Sequence, residues 1–312
     1  MFLLQTPRDE QTLVFIFLPL VYFVLIMQKV QTGLVIEFYS NSCLVRTDKK
    51  DIPCIGIKDI IVGDIVKIEL LQDSKETKGV ILFREDRKSL LQKKDEIKYK
   101  NIAANLSHVG ILVTPKPKTT AEFIDKWILT SLLSSIEPFI ICNKSDLSHD
   151  DAYLEQIKLY KNLDIQTFSI SAKENTNIDL LQNYLKHKCA LFVGNSGAGK
   201  STLTSLITGK EIKTNMLSNN QGVHTTSIST LYQVNASTQI IDSPGVRDLP
   251  ISGWKTNQII SGFKEIYESS KECEFNDCNH INNKGCNVIK KLNDGEISQS
   301  RYNNFIKFRD SV

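Results

Sequence analysis

Gly194-Asn195-Ser196-Gly197-Ala198-Gly199-Lys200-Ser201 fits the pattern G-x-x-x-x-G-K-[ST] at every fixed position. It follows the apolar run Ala190-Leu191-Phe192-Val193 and leads through Ser201-Thr202-Leu203 into a helical pattern. Glycines at those positions let backbone N–H groups curl around phosphates, and the helix N-terminus adds a favourable field. Lys200 would neutralise the β and γ phosphates, and the Ser201 hydroxyl would ligate magnesium. The phosphate-binding set expected here runs from Gly194 through Thr202 without a gap. Asp242-Ser243-Pro244-Gly245 directly follows the apolar run Gln239-Ile240-Ile241. At a strand end the Asp242 carboxylate can hold magnesium, usually through water, and the Gly245 N–H can reach a γ-phosphate.

Asn143-Lys144-Ser145-Asp146 follows a third apolar run, Phe139 to Cys142. In this N-K-x-D pattern Asp146 accepts two hydrogens from guanine, at N1 and the exocyclic amine. Adenine lacks that amine and has the opposite polarity at N1, so a buried acceptor would be left unpaired. Ser171-Ala172-Lys173, after Phe168 to Ile170, could supply a backbone N–H to the guanine O6. Together with the phosphate loop, these residues point to GTP. Their order is unusual, because the base motif precedes the phosphate motif. A parallel sheet tolerates such permutation, since the site is built from strand ends that meet in space.

Cys273-x4-Cys278-x-His280-x5-Cys286 brings three thiols and an imidazole within fourteen residues. Zinc prefers four such ligands in a tetrahedron, and a closed set leaves no position for chemistry, so a structural zinc is expected. The seven cysteines are an odd number in a 312-residue chain. That argues against a secreted disulfide scaffold and for a reducing, cytoplasmic compartment. Hydrophobic residues at 41% and charged residues at 23% exclude wholesale disorder. Thirty-eight Lys and Arg against thirty-five Asp and Glu give +3, a balance that neither establishes nor opposes a nucleic-acid partner.

The elements that must position these residues fall into segments. Residues 31–107 offer short β-branched runs at Leu34–Ile36, Ser42–Arg46, Ile52–Ile55, Asp64–Leu70 and Gly79–Phe83. Their spacing predicts a small antiparallel barrel of the oligonucleotide-binding (OB) type. Lys88, Lys93, Lys94 and Lys98 then stand between Arg87 and Lys100, which reads from charge alone as a solvated loop. Residues 108–252 alternate apolar runs with helical spacing, which predicts a parallel α/β sheet with crossover helices. Residues 253–312 read as mostly helical around the Cys/His cluster. Residues 1–30 carry a fifteen-residue apolar run, Leu13–Met27, shorter than the roughly 20 residues of a spanning helix. It is read as an upstream start in front of a true start at Met27, ahead of a membrane-touching appendage or an export signal.

Taken in order, these motifs resemble the RsgA (YjeQ) family of circularly permuted bacterial GTPases, over roughly residues 30 to 312. Val62-Gly63-Asp64, Gly222-Val223-His224-Thr225-Thr226 and Arg301-Tyr302 add to the likeness. Val223 stands where the family more often has a basic residue. The resemblance implies hydrolysis of GTP to GDP, stimulated by the small ribosomal subunit late in its maturation. It also implies rRNA contacts from the barrel and zinc domains, which would make the Arg87–Lys100 segment a phosphate-contacting loop. After D-x-x-G, Ras-like GTPases place a glutamine that orients the attacking water, but Val246 stands here and cannot hydrogen-bond. His224 is the candidate for that work, with Lys200 and Thr226 as its catalytic partners. Ser201, Asp242 and Thr226, or Thr225 in its place, would complete a magnesium shell. A monomer without membrane contact is expected. Two alternatives are a nucleotide-gated rRNA-binding module whose hydrolysis is incidental, and a membrane-tethered GTPase.

Overall fold

A computed structural model describes residues 30–39, 41–56, 58–72, 77–94, 99–211, 229–242, 249–251 and 253–312. The leader Leu13–Met27, the segment Gly222–Thr226 and Ser243 to Val246 therefore lie outside the described residues, as do Asp95, Glu96 and Lys98. The described chain forms two compact units, the first made of residues up to Ile60 with Asp64–Asp86, the second of Ile61–Gly63 with everything from Arg87 onward.

The first unit is a five-stranded barrel of β1 (Val30–Phe38), β2 (Ser42–Arg46), β3 (Asp51–Ile55), β4 (Ile65–Gln72) and β5 (Thr77–Arg84). The spatial order is β1-β2-β3-β5-β4, and β4 pairs back onto β1 to close it. Neighbours run antiparallel except β3 and β5, which are parallel. This is the connectivity of an OB-like barrel. Strand β3 alternates exposed and buried residues along its whole length, so Ile52 and Cys54 join Val35, Val45, Val66 and Ile68 in the interior. All five runs singled out in the sequence are strands.

The second unit is built on a six-stranded sheet. Its strands are β8 (His108–Val113), β9 (Glu137–Cys142), β10 (Thr167–Ser169), β11 (Cys189–Val193), β12 (Thr230–Gln233) and β13 (Gln239–Asp242), in the spatial order β10-β9-β8-β11-β13-β12. The first five are parallel, while β12 is antiparallel to β13 at the edge. Every residue of β8 is buried, as expected of a parallel strand covered on both faces. Helices α1 (Ala121–Leu133), α2 (Asp151–Asn162), α3 (Ile178–Tyr184) and α4 (Lys200–Thr208) connect the strands. Thr120 and Asp150 cap α1 and α2 by accepting the N–H of Phe123 and Tyr153. Two features differ from expectation. Strand β12 has too few apolar residues to announce itself. The lysine-rich segment is not simply a loop: β6 (Leu90–Lys94) and β7 (Tyr99–Ala104) pair as a hairpin, with Leu91, Ala103 and Ala104 fully buried.

Beyond the sheet come α5 (Thr256–Ile259), a single 3₁₀ turn, α6 (Lys264–Ser270), α7 (Asn287–Asn293) and α8 (Gln299–Arg309). Their apolar faces meet around Phe263, Ile266, Val288, Phe305 and Phe308, and the cluster includes Leu129 of α1. Gly262 lies so close to that helix that a Cβ would sit 2.5 Å from Leu129 Cδ1. A buried ion cluster joins the same elements. Arg301 of α8 donates to Asp125 of α1 at 2.7 Å and to Glu265 of α6 at 2.7 and 3.0 Å, with its guanidinium 4.4 Å from the Phe263 ring. Asp125 also accepts from Tyr160 of α2 at 2.8 Å and from Asn304 at 2.6 Å. Burial raises the Asp125 carboxyl, and the Arg301 charge with these donors works against it.

Removing one member strands the other charge in a dry site. Asp125→Ala should therefore destabilise the second unit by about 3–5 kcal/mol. Urea unfolding followed by the fluorescence of buried Trp127 measures this, and a midpoint equal to the parent's would refute it.

Candidate functional site

Parallel strands put the βα turns of β8, β9, β11 and the end of β13 on one edge of the sheet. Register places Val113 beside Cys142, Ile111 beside Val193 and Leu191 beside Ile241. The residues after β9 and β11, some fifty positions apart in sequence, are thereby brought together. Asn143 shows how closely. Its side chain is 2% exposed, donates through Nδ2 to the Ala198 carbonyl at 2.9 Å and accepts through Oδ1 from the Ala172 N–H at 3.0 Å. One carboxamide thus joins the three loops expected to hold phosphate and base.

The loop Gly194–Lys200 folds as expected of a phosphate cradle. Gly197 and Gly199 take φ of +77° and +92°, and a Cβ on Gly199 would run into the Asn143 amide nitrogen, so glycine is required there. Ala198 N–H donates to the Asn195 carbonyl at 3.1 Å, and α4 begins immediately after Gly199. The Lys200 ammonium folds onto the Gly194 and Asn195 carbonyls at 2.6 and 3.0 Å. Ser196 and Gly197 are exposed on the loop's outer surface, with Ser201 half-buried and Thr202 exposed at the helix start. Asp242 ends β13; burial raises its carboxyl and the nearby Lys200 charge pulls it back.

On the base side, Asp146 is exposed and accepts from the Ser171 hydroxyl at 2.5 Å. That hydrogen bond holds its carboxyl below the usual carboxylate range, which keeps it an acceptor. Ser171 in turn accepts from Glu174 N–H at 3.1 Å. Lys144, at φ +67°, sends its ammonium to the Lys116 carbonyl at 2.6 Å, while Lys173 pairs with Glu174 at 3.0 Å.

A family model described as RsgA GTPase matches residues 84–252. The small ribosomal subunit biogenesis GTPase RsgA of Flavobacterium psychrophilum is 33% identical over 265 residues, which cover 81% of this chain and 81% of that protein. The chain belongs to the RsgA GTPase family. It is accordingly a GTPase, a hydrolase acting on GTP. Among solved structures, YjeQ from Thermotoga maritima superposes with a TM-score of 0.71 at 29% identity, over 90% of this chain and 98% of that one. YloQ, described as a circularly permuted GTPase, gives a TM-score of 0.66 at 20% identity over 90% and 94% of the two chains, a likeness of fold. The order of motifs read in this chain agrees with the description of that fold as circularly permuted.

The Cys/His cluster is assembled in the helical region. The ligand atoms of Cys273, Cys278, His280 and Cys286 all lie within 4.8 Å of one another. His280 Nδ1 is 3.7 Å from the sulfurs of Cys273 and Cys286, which are 4.0 Å apart. A tetrahedral shell with metal–sulfur bonds of about 2.3 Å has edges of about 3.8 Å, so these four side chains could hold a metal ion. Tyr302 donates to the His280 carbonyl at 2.7 Å, and Ile289 N–H donates to the Cys286 sulfur at 3.5 Å. Burial pushes the Cys286 thiol up to about 11, so a metal binding there displaces a proton.

Sequence reading missed several residues that shape the site. Thr114 and Thr119 bond within the turn after β8, whose Lys116 carbonyl meets Lys144 and whose Pro117 lies beside Gly197 of the phosphate-type loop. Nothing in their types announces chemistry. Asp125 did carry a signal: an acid one residue after Ile124 and two before Trp127-Ile128-Leu129, on a mostly apolar helix, implies a buried partner.

Asn143→Ala would leave the Ala198 carbonyl and Ala172 N–H unmet and uncouple the two loops. Nucleotide affinity should fall by at least about tenfold. Titration with a fluorescent GDP analogue checks this, and an unchanged dissociation constant would contradict it.

Proposed function

We propose that the chain hydrolyses GTP to GDP and phosphate in the service of small-subunit maturation, and that docking on that subunit stimulates turnover. The single observation that carries the reading is the Asn143 carboxamide, which holds a guanine-type loop and a phosphate-type loop in one site. The curated relative from Flavobacterium johnsoniae, 34% identical over 265 residues, also bears the name small ribosomal subunit biogenesis GTPase RsgA.

In this reading Asp146 takes the guanine N1 and amine hydrogens, the Ala172 loop with Ser171 and Lys173 borders O6, and residues Gly194 to Thr202 wrap the phosphates. Lys200 leaves its resting carbonyls for the β and γ phosphates. Magnesium, when bound, offsets charge developing between those phosphates, with Ser201, Asp242 and Thr226 as the residues that would hold it. Gly245 meets the γ-phosphate and His224 orients the attacking water, where Val246 cannot. The Cys273, Cys278, His280 and Cys286 set holds zinc, since three thiolates and an imidazole in a closed shell suit that ion. The protein acts in the cytoplasm as a monomer, on rRNA through the barrel and the zinc region. No described helix is long and apolar enough to cross a membrane. The segmentation that goes with this reading is an OB-fold domain over 31–107, a permuted GTPase domain over 108–252 and a zinc domain over 253–312, with the β6–β7 hairpin counted in the first although it belongs to the second compact unit.

His224→Ala should bind nucleotide normally but lose at least about a hundredfold of its subunit-stimulated turnover. Lys200→Ala should abolish tight GTP binding. Titration with a fluorescent GTP analogue tests the binding of both variants and phosphate release with and without purified small subunits tests turnover; stimulation below about tenfold in the parent protein would favour a binding module with incidental hydrolysis. Replacing Cys278 and Cys286 with Ser should release zinc and open the last sixty residues to protease. Metal analysis showing one zinc retained would remove that assignment.

A further inference from the structure

The turn between β8 and α1 touches the guanine loop and the phosphate loop at once. Lys116 contributes only its backbone carbonyl, which receives the Lys144 ammonium at 2.6 Å. Pro117 faces Gly197, where a Cβ would lie 3.6 Å from the proline Cδ. Both Lys116 and Pro117 are exposed, so their own packing does not hold them in place.

Two buried hydroxyls do. Thr114 is fully buried and Thr119 is 1% exposed. Thr119 Oγ1 accepts from Thr114 N–H at 3.1 Å, and Thr119 N–H donates to the Thr114 carbonyl at 3.2 Å, so the ends of the turn are pinned together. Thr114 Oγ1 donates across the turn to the Pro117 carbonyl at 2.7 Å, which sets its tip. From outside, Gln156 of α2 reaches the Thr119 carbonyl at 3.3 Å. Otherwise residues 118–120 border a cleft of about 370 Å³ shared with Ser298 and Ser300. Packing on that side is incomplete, which leaves the internal hydroxyl bonds to fix the turn.

We propose that Thr114 and Thr119 are positioning residues for the nucleotide, acting through the Lys116 carbonyl and the Pro117 ring. In the proposed site Lys144 stands two residues before Asp146, and the Lys116 carbonyl is the acceptor that holds its ammonium. Here that acceptor belongs to a turn whose shape depends on two threonines with no contact to nucleotide. Loosening the turn frees Lys144 and removes a wall from Gly197, so the bound nucleotide leaves faster while the reacting end is undisturbed. This inference rests on the GTPase reading of the same site.

The test uses the full chain and a fluorescent GDP analogue. Thr119→Val keeps the shape and removes the acceptor; release should speed by about five- to tenfold. The KM for GTP should rise in proportion, with kcat at saturating GTP unchanged. Thr119→Ser restores the acceptor and should return release to within about twofold of the parent. In a double-mutant cycle with Lys144→Ala, the effect of Thr119→Val should largely vanish, because its route has been removed. Pro117→Ala, on the exposed lip, should speed release about threefold, and it stands in if circular dichroism shows that the valine variant has not folded.

Parent-like release from a folded Thr119→Val protein, or from Pro117→Ala in its stead, would overturn the proposal. So would full additivity with Lys144→Ala, or a loss confined to kcat. Failure of the parent protein itself to bind the GDP analogue would instead sink the GTPase reading.

Discussion

Strand direction is the constraint on which the site depends. Strands β9, β8, β11 and β13 all run the same way, so each must end on the same edge of the sheet. Whatever follows a strand is delivered to that edge, regardless of when the chain reaches it. The guanine-type loop follows β9 and the phosphate-type loop follows β11, and they become neighbours because only β8 lies between. Chain order is then free to differ from that of other GTPases. What cannot vary is the sheet order and the short polar links across its edge, above all the two hydrogen bonds of Asn143.

The helical region after residue 252 is tied to this sheet by a different kind of contact. Apolar packing around Phe263 and Phe305 supplies most of the favourable burial, at about 1.5–3 kcal/mol for each large side chain. The Arg301, Asp125 and Glu265 cluster adds little net stability, since its desolvation cost offsets its attraction. Its value lies in geometry. Three donors converge on Asp125 from α2 and α8, and a helix shifted by one turn would leave that carboxylate buried without them. The Cys/His cluster lies within the same region: Tyr302, next to Arg301, holds the His280 backbone. A bound metal would thus be coupled through two adjacent residues of α8 to a helix of the GTPase sheet.

Much of this was legible in the sequence, and the reasons differ by element. The buried strands β8, β9 and β11 are runs of apolar residues, and the five barrel strands are β-branched runs between polar turns. Glycine spacing announced the phosphate loop, because only glycine tolerates the backbone of Gly199 beside Asn143. The Cys/His spacing announced the metal cluster, since few other arrangements explain thiols gathered beside an imidazole. Strand β12 was hidden: an edge strand of four residues, only one of them buried, leaves a faint pattern. The β6–β7 hairpin was hidden by its charge, because the lysines dominate the pattern of a segment in which Leu91 and Ala103 are buried. Thr114 and Thr119 were hidden for a third reason. Their work is done on backbone atoms three to five residues away, and no side-chain pattern encodes that.

The same distinction separates two ways in which this fold makes a site. Residues such as Asp146, proposed to meet the ligand directly, carry chemistry that is visible in their type. Residues such as Asn143 and Thr119 fix where main-chain atoms stand, and their chemistry appears only once the turns are closed. In a nucleotide site most donors to phosphate are backbone N–H groups, so the second kind governs affinity as much as the first. The turn after β8 extends that logic from the phosphates to the base, since even the charged Lys144 is anchored by a carbonyl. Small buried hydroxyls suit that work, because they bond backbone groups a few residues away and so fix the turn from within.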